Sequence, residues 1–217
     1  MLVVGRTAMP PLADVWPGAP GMRVWPPGMI PPRVLDAHTV VIGARGAAVG
    51  IARLMGAQTI VPPGATGRPG SDLAAKATTA IAAIEQGARR VVVHVGAADE
   101  AAHERDAGAK VAAIEAADAL LVAPIAAVLR ARAETLGPAS VRLRVCPDHG
   151  CDPTTGEHDG APVPCLDWRP ARHPSGSGGR LTERDAATRP LVDLTRTSAT
   201  LAPTVAARAV AARAVAA

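Results

Sequence analysis

The chain has 217 residues, of which 48 % are apolar and 19 % are charged, so a fully disordered polar chain is excluded and one ordinary domain fits. Alanine accounts for 48 residues while phenylalanine and tyrosine are absent, which predicts a core of small aliphatic side chains. The net charge of +4 comes from 21 arginines scattered without interleaved aromatics, which argues against a nucleic-acid partner. Three cysteines without CxxC spacing do not describe a disulfide framework.

The N-terminal third carries no targeting signal that we can identify. Residues 1–34 are punctuated by proline and glycine and are predicted as loop or edge structure. No apolar run is expected to approach the roughly 20 residues of a membrane helix, and the N-terminus lacks a signal-peptide pattern. We therefore expect a soluble, cytoplasmic protein without a membrane partner.

Strands and helices are predicted to alternate from Thr39 onward. The predicted strands cover residues 39–42, 59–61, 90–95 and 141–146, and the predicted helices cover 46–55, 73–86 (with an N-cap at Ser71–Asp72) and 107–136. Pro124 should kink or split the last helix. The consecutive valines at 91–93 suit a strand buried on both faces, and the 107–136 helix is a long enough crossover to make 91–95 and 141–146 parallel neighbours or near neighbours. The predicted class is α/β, with a mainly parallel sheet flanked by helices.

Carboxylate and imidazole side chains follow the ends of two predicted strands. Asp99 and His103 are spaced i and i+4, so they would share one face of a helix that begins there. Asp148 and His149 follow the strand at 141–146, and His158 lies further along the same loop. Ligand sites in open α/β sheets lie beyond the carboxyl ends of the strands, so these residues predict a site for Mn²⁺, Zn²⁺, Co²⁺ or Mg²⁺.

Two other candidate assignments, a zinc site and a functional lysine, have weaker support from the sequence. A zinc site could combine Cys146 and Cys151 with the nearby histidines, but the C-x4-C spacing is loose and Cys146 also fits a buried strand position. Lys76 on an alanine-rich helix is by itself more typical of a solvated face.

The motifs resemble those of the archaeal-type 2,3-bisphosphoglycerate-independent phosphoglycerate mutases, in the alkaline phosphatase superfamily. The resemblance is colinear over about residues 23–196. The family pattern VHxxxxDEAxHxxD is matched from Val93 to Asp106, and its PDH motif with a histidine after eight residues is matched by Pro147-Asp148-His149 and His158. Residues 63–67, with Asp72 and Lys76, resemble its PGATG motif with the following Asp and Lys, and residues 50–56 resemble its GIAKLAG segment.

This resemblance implies an alkaline-phosphatase-like half domain that uses two divalent ions, Mn²⁺ or alternatively Mg²⁺, Co²⁺ or Zn²⁺. Asp99, His103 and His158 would hold one ion, and Asp148 with His149 would help to hold the other. Lys76 would take a substrate-binding role. The implied reaction interconverts 3-phosphoglycerate and 2-phosphoglycerate in glycolysis, through a serine that carries the phosphate.

The family's N-terminal Asp-Gly segment and its phosphorylated serine have no counterpart in this sequence, so no catalytic nucleophile is assigned. Residues 1–74 are interpreted as the end of an inserted substrate domain, 75–200 as the C-terminal half of the metal-binding domain, and 201–217 as a flexible tail. A separately encoded N-terminal half is the expected partner, and the chain alone is expected to bind at most one ion well and to show no turnover. The alternatives are a phosphatase or hydrolase of the same superfamily and an inactive remnant.

Overall fold

The computed structural model describes residues 2–3, 23–24, 33–169 and 181–189. Strands β1 (Leu2–Val3) and β2 (Arg23–Val24) pair in parallel within the segment predicted as loop or edge structure. The predicted flexible tail at 201–217 lies outside the described residues.

A three-stranded parallel sheet forms the centre of the fold. It consists of β3 (Thr39–Ile42), β4 (Gln58–Ile60) and β5 (Arg90–Val93) in the order β4-β3-β5. The central strand β3 is buried along its whole length. The predicted α/β class with a parallel sheet flanked by helices is therefore confirmed. Burial of β5 on both faces was a wrong prediction for Val92, which is 44 % exposed because the helix on its face of the sheet, Ala47–Leu54, packs on β3 and β4.

Helices cover both faces of the sheet. Helix α1 (Ala47–Leu54) places Ala52 against Val41 of β3, and α2 (Leu73–Glu85) covers the opposite face. The predicted N-cap of α2 is present, because an Asp72 carboxylate oxygen accepts a hydrogen bond from the Ala75 N–H at 2.8 Å. The core between α2 and the sheet is rich in alanine and small aliphatic residues, among them Val40, Ile42, Leu73, Ala77, Ala80 and Ala83.

The next helical region begins directly after β5. It contains α3 (Ala97–His103) and α4 (Ala107–Ala117), a π-helical turn at Asp118–Val122, and α5 (Ala123–Leu136). The π turn immediately precedes Pro124, which lacks an N–H and lies in the first turn of α5, so the predicted irregularity at this proline takes the form of a widened turn.

The stretch Ala107–Leu136 is long and apolar enough, by length and composition alone, to cross a membrane. In the structure its Leu121, Ile125 and Leu129 are buried in the core with residues of α2 and β3. Only 22 % of the most apolar window of this stretch is buried, so most of it is at least partly exposed, and a single helix of this kind is weak evidence for a membrane span.

Four short strands follow: β6 (Leu143–Val145), β7 (Gly150–Asp152), β8 (Glu157–Asp159) and β9 (Leu166–Trp168). A last short helix is α6 (Glu183–Ala186). The prediction that 141–146 joins the 91–95 strand in one sheet is wrong, because β6 pairs with β9, antiparallel, and not with β5. Leu143 lies opposite Trp168, and Asp167 accepts hydrogen bonds from Arg142 (Nε–Oδ1 2.6 Å) and Arg144 (3.4 Å). These cross-strand contacts stabilise the pairing of β6 with β9, and β6 therefore lies in a separate sheet from β5.

Residues 150–159, predicted as loop, form the β7–β8 hairpin. Its turn has the sequence Asp152-Pro153-Thr154-Thr155-Gly156, in which the Asp152 carboxylate accepts from the Thr154 N–H at 2.7 Å. Gly156 has a φ of +76°, which a glycine adopts without steric cost. This hairpin carries half of the candidate site.

Candidate metal centre

Helix α3 supplies the first two side chains of the site. The chain leaves β5 and turns at Gly96, where a Cβ atom would lie only 2.9 Å from the Gly67 carbonyl oxygen. One turn into the helix, Asp99 and His103 lie on the same face, with His103 Nε2 3.5 Å from Asp99 Oδ2. The predicted i, i+4 placement of these two side chains is therefore what the structure shows.

The β7–β8 hairpin supplies the other two side chains. Cys151 and His158 are directly opposite each other in the antiparallel register, so their side chains project from the same face. His158 Nε2 lies 3.2 Å from Asp99 Oδ1 and 3.0 Å from His103 Nε2. The candidate ligand atoms of Asp99, His103, Cys151 and His158 all lie within 4.8 Å of one another.

Three side chains from α3, α4 and the turn between them hold the backbone of the hairpin. His103 Nδ1 is 2.7 Å from the Gly156 carbonyl oxygen, and Arg105 Nε donates to the Thr155 carbonyl at 3.2 Å. Lys110 Nζ donates to the Cys151 carbonyl. Because a carbonyl can only accept, the proton of the neutral His103 ring belongs on Nδ1, and the lone pair on Nε2 faces the other candidate ligands.

One oxygen of the central carboxylate is incompletely satisfied. Asp99 Oδ1 is buried without a hydrogen bond of good geometry, although His158 Nε2 lies 3.2 Å from it, and an unsatisfied buried carboxylate oxygen is costly. The nitrogen atoms of His103 and His158 face each other and the same carboxylate. A divalent cation would satisfy the unsatisfied oxygen and both lone pairs, so the residues present fit a metal ion.

Burial raises the pKa of the Cys151 thiol, and the neighbouring Asp99 carboxylate raises it further. The side chain is 6 % exposed, so it lies inside the group and away from solvent. Without a cation, the thiol is therefore protonated at neutral pH.

Asp148 and His149 lie beside this group and not within it. The His149 ring stacks on the His158 ring with centroids 3.7 Å apart, and its Nε2 is 3.4 Å from Asp148 Oδ2. The Asp148 side chain is 76 % exposed. Within the described ranges, these two residues are not joined by a third carboxylate, imidazole or thiol that would complete a second metal group.

Lys76 is fully buried, so its interpretation as part of a solvated face is wrong. Its ammonium group donates to the His94 carbonyl at 2.9 Å, one residue beyond the end of β5, and burial lowers the pKa of the side chain. This contact fixes the segment that leads from β5 into α3 and hence toward Asp99.

Sequence reasoning did not assign Cys151 to the cluster with Asp99 and His103. The available signal was the Asp-Pro-Thr-Thr-Gly sequence, which predicts a turn and would have placed Cys151 across from His158. Cys146, its partner in the zinc alternative, lies elsewhere: its Sγ donates to the Pro147 carbonyl at 3.0 Å. Burial, with Cys165 nearby, raises the pKa of Cys146 to about 11.

The fold and the site together define an α/β protein with a candidate metal centre. Residues 36–202 match the metalloenzyme superfamily, and the chain belongs to that family. This match, with the four-residue group, supports the use of a divalent metal ion.

Several relatives are archaeal phosphoglycerate mutases. The chain is 36 % identical over 133 residues to the 2,3-bisphosphoglycerate-independent phosphoglycerate mutase of Ignicoccus hospitalis, covering 61 % of this chain and 30 % of that protein. It is 33 % identical over 150 residues to 2,3-bisphosphoglycerate-independent phosphoglycerate mutase 2 of Methanothermobacter thermautotrophicus, covering 66 % and 35 %. The solved structure of the PH0037 protein from Pyrococcus horikoshii is similar with a TM-score of 0.56 and 26 % identity, covering 69 % of this chain and 43 % of that one. The chain spans about a third of the length of these curated relatives.

Proposed function

We propose that this chain is the C-terminal part of a cytoplasmic, metal-dependent phosphoglycerate mutase that interconverts 3-phosphoglycerate and 2-phosphoglycerate. The observation that carries the proposal is the convergence of Asp99, His103 and His158: the two Nε2 atoms are 3.0 Å apart, and each lies within 3.5 Å of an oxygen of the Asp99 carboxylate. The names of the relatives supply the substrate class.

A bound divalent ion would supply positive charge for a transferring phosphoryl group. The residues of this chain would hold and orient that ion: Asp99 would offer a carboxylate oxygen, and His103 and His158 would offer imidazole nitrogens. The Gly156 carbonyl fixes the tautomer and the ring orientation of His103. Lys76 fixes the backbone that leads to Asp99, and a direct contact with substrate would require its hydrogen bond to His94 to open.

The second ion and the nucleophile are proposed to depend on a separate N-terminal half. Asp148 and His149 lie side by side and would contribute two ligands, too few to fix the geometry of a second ion. The partner half would supply the remaining ligand and the serine. Mn²⁺ is the ion that the resemblance to the mutases implies, and carboxylate and imidazole donors also accept Mg²⁺, Co²⁺ and Zn²⁺.

The test is a ³¹P NMR assay of 3-phosphoglycerate with added Mn²⁺. We expect the chain alone to give no product, and the chain co-expressed with the N-terminal part of the Ignicoccus hospitalis relative to form 2-phosphoglycerate. H103A in this combination should abolish conversion. H38A, a substitution in the exposed turn before β3, should not.

The other possible results of the ³¹P NMR assay each support a different function for the chain. Release of inorganic phosphate in place of 2-phosphoglycerate would identify a hydrolase of the same superfamily. Sustained conversion by the chain alone would show that a residue of this chain serves as the nucleophile. No conversion in any combination would contradict the proposed mutase activity and support an inactive remnant.

A further inference from the structure

We propose that Cys151 is a fourth protein ligand of the ion held by Asp99, His103 and His158, and that its thiolate makes this site select Zn²⁺ or Co²⁺ over Mn²⁺ and Mg²⁺. The inference rests on the proposed function only for the presence of one ion. It does not depend on the reaction that the ion serves.

The distances between the ligand atoms already approach those of a four-coordinate site. Zinc bonds of about 2.1 Å to nitrogen or oxygen and about 2.3 Å to sulfur place tetrahedral ligand atoms roughly 3.4–3.6 Å apart. In the structure, His158 Nε2 is 3.0 Å from His103 Nε2 and 3.2 Å from Asp99 Oδ1, while His103 Nε2 is 3.5 Å from the other carboxylate oxygen, Asp99 Oδ2. Cys151 Sγ joins them with no separation above 4.8 Å, about 1.2 Å longer than the tetrahedral value, so binding of an ion requires the side chains to move closer together.

Two regular elements bring the four ligands together. Asp99 and His103 are one helical turn apart on α3, and Cys151 and His158 are a cross-strand pair on the hairpin. A helix face and a hairpin face that meet in this way present two ligands each. The cysteine is therefore placed by the same hairpin register that places His158.

The backbone at Cys151 is fixed independently of any metal. Lys110 donates to the Cys151 carbonyl, and His103 and Arg105 hold the Gly156 and Thr155 carbonyls of the adjacent turn. Such support around a ligand is typical of metal sites, where it keeps the donor atom in position. The 6 % exposure of Cys151 also shows that its thiol lies inside the group and does not face solvent.

A thiolate changes which metal ion the site prefers. Soft sulfur ligands favour zinc-type ions, whereas Mg²⁺ and Mn²⁺ prefer carboxylate, carbonyl and water oxygens. Coordination deprotonates a thiol, so binding releases the Cys151 proton to solvent. Four protein ligands fill a tetrahedral zinc site, and an incoming oxygen ligand would have to enter as a fifth.

The test uses the full chain titrated with Co²⁺, whose absorption spectrum reports its ligands. We expect a thiolate-to-cobalt charge-transfer band in the near ultraviolet, together with the intense visible bands of four-coordinate cobalt. C151S should lose the charge-transfer band and retain cobalt binding through the remaining three ligands. The matched control C165S, a substitution of an exposed cysteine, should keep the band.

Metal competition gives a second readout. C151S should weaken Zn²⁺ binding by at least about 10- to 100-fold, since losing a residue that only orients a ligand already costs that much, while Mn²⁺ binding changes little. Cobalt binding without a charge-transfer band, or a band that persists in C151S, would overturn the role of Cys151 and leave the ion in place. Failure of Co²⁺, Zn²⁺ and Mn²⁺ to bind the folded chain at all would overturn both this inference and the metal site on which the proposed function depends.

Discussion

Single residues outside the candidate ligand set control its geometry. The Gly156 carbonyl is 2.7 Å from His103 Nδ1, and the glycine holds a φ of +76° close to the end of α3. A Cβ atom on this residue would lie 3.2 Å from the His103 carbonyl oxygen. The turn of the hairpin is thus packed directly against the helix that carries Asp99.

G156A should therefore weaken Zn²⁺ binding by about 10-fold, because a strained and crowded turn no longer orients His103. It should also lower the free energy of unfolding by about 1–2 kcal/mol, since alanine is disfavoured at positive φ. Calorimetric titration and denaturant unfolding measure the two effects. G137A is the matched control, because Gly137 has a φ of +92° with open space around it. If G137A weakens Zn²⁺ binding as much as G156A does, the contact between Gly156 and His103 does not explain the effect on Zn²⁺ binding.

A second prediction at this scale concerns the ion pair between β6 and β9. Arg142, which donates two hydrogen bonds, holds the pKa of Asp167 at about 2, below its ordinary value of 3.8. A depressed carboxyl pKa stabilises the fold above the ordinary pKa, and this contribution is lost as the pH falls from 3.8 toward 2.

D167N should accordingly reduce the free energy of unfolding at neutral pH by about 1 kcal/mol, a value discounted because the pair is partly exposed. The difference from the wild-type chain should shrink as the pH falls toward 2. Urea unfolding over this pH range is the measurement, with E134Q on the exposed surface of α5 as the control. A difference that stays constant across the range would contradict the role of the ion pair.

The sequence predicts the positions of some residues of the candidate site and not of others. The i, i+4 spacing places Asp99 and His103 together because helix geometry is local. The position of Cys151 depends on hairpin register, which a turn sequence indicates only when the flanking strands are identified first. Those strands have three residues each, too short for their pattern to distinguish them from a loop.

At the scale of elements, the helical region over residues 107–136 packs on α2 and shares a core with the sheet through one face. Leu121 is 6 % exposed and lies in the core with residues of α2 and β3, whereas Ile114 is 53 % exposed on the same helical stretch. The apolar composition alone does not distinguish these two positions, but their burial does.

L121A should reduce the free energy of unfolding by about 2–5 kcal/mol, because it removes a buried side chain and leaves a cavity. I114A should change it by no more than about 0.5 kcal/mol, as expected for an exposed position. Thermal or urea unfolding of the two variants gives the comparison. Similar effects from both would show that this helical stretch does not pack on α2 and the sheet as described.

Sequence reasoning predicts β3 and β5 from their runs of β-branched residues, α1 from its Gly/Ala-rich composition, and α2 from the Asp72 N-cap. It misassigns the partner of β6 because strand pairing is not local. The decisive contacts are with Trp168 and Asp167, in a segment that carries no strand pattern of its own.

At the scale of the whole molecule, the parallel sheet and its helices hold one end of β5 against α3, and the β7–β8 hairpin completes the site.

The domain boundaries at 74 and 200 stay predictions, as does the cytoplasmic location. Val40 of β3 and Ala77 of α2, on either side of residue 74, share one core. The exposed edge position of Val92 and the exposed Val111 leave apolar surface that the proposed partner half could cover.

The central claim is that Asp99, His103 and His158 hold one divalent ion. Anomalous diffraction from crystals of the full chain soaked in Zn²⁺ tests it most directly. The account predicts a single strong peak roughly 2.0–2.2 Å from Asp99 oxygen and from the Nε2 atoms of His103 and His158. No peak at this position, or a peak on Asp148 and His149 alone, would contradict it.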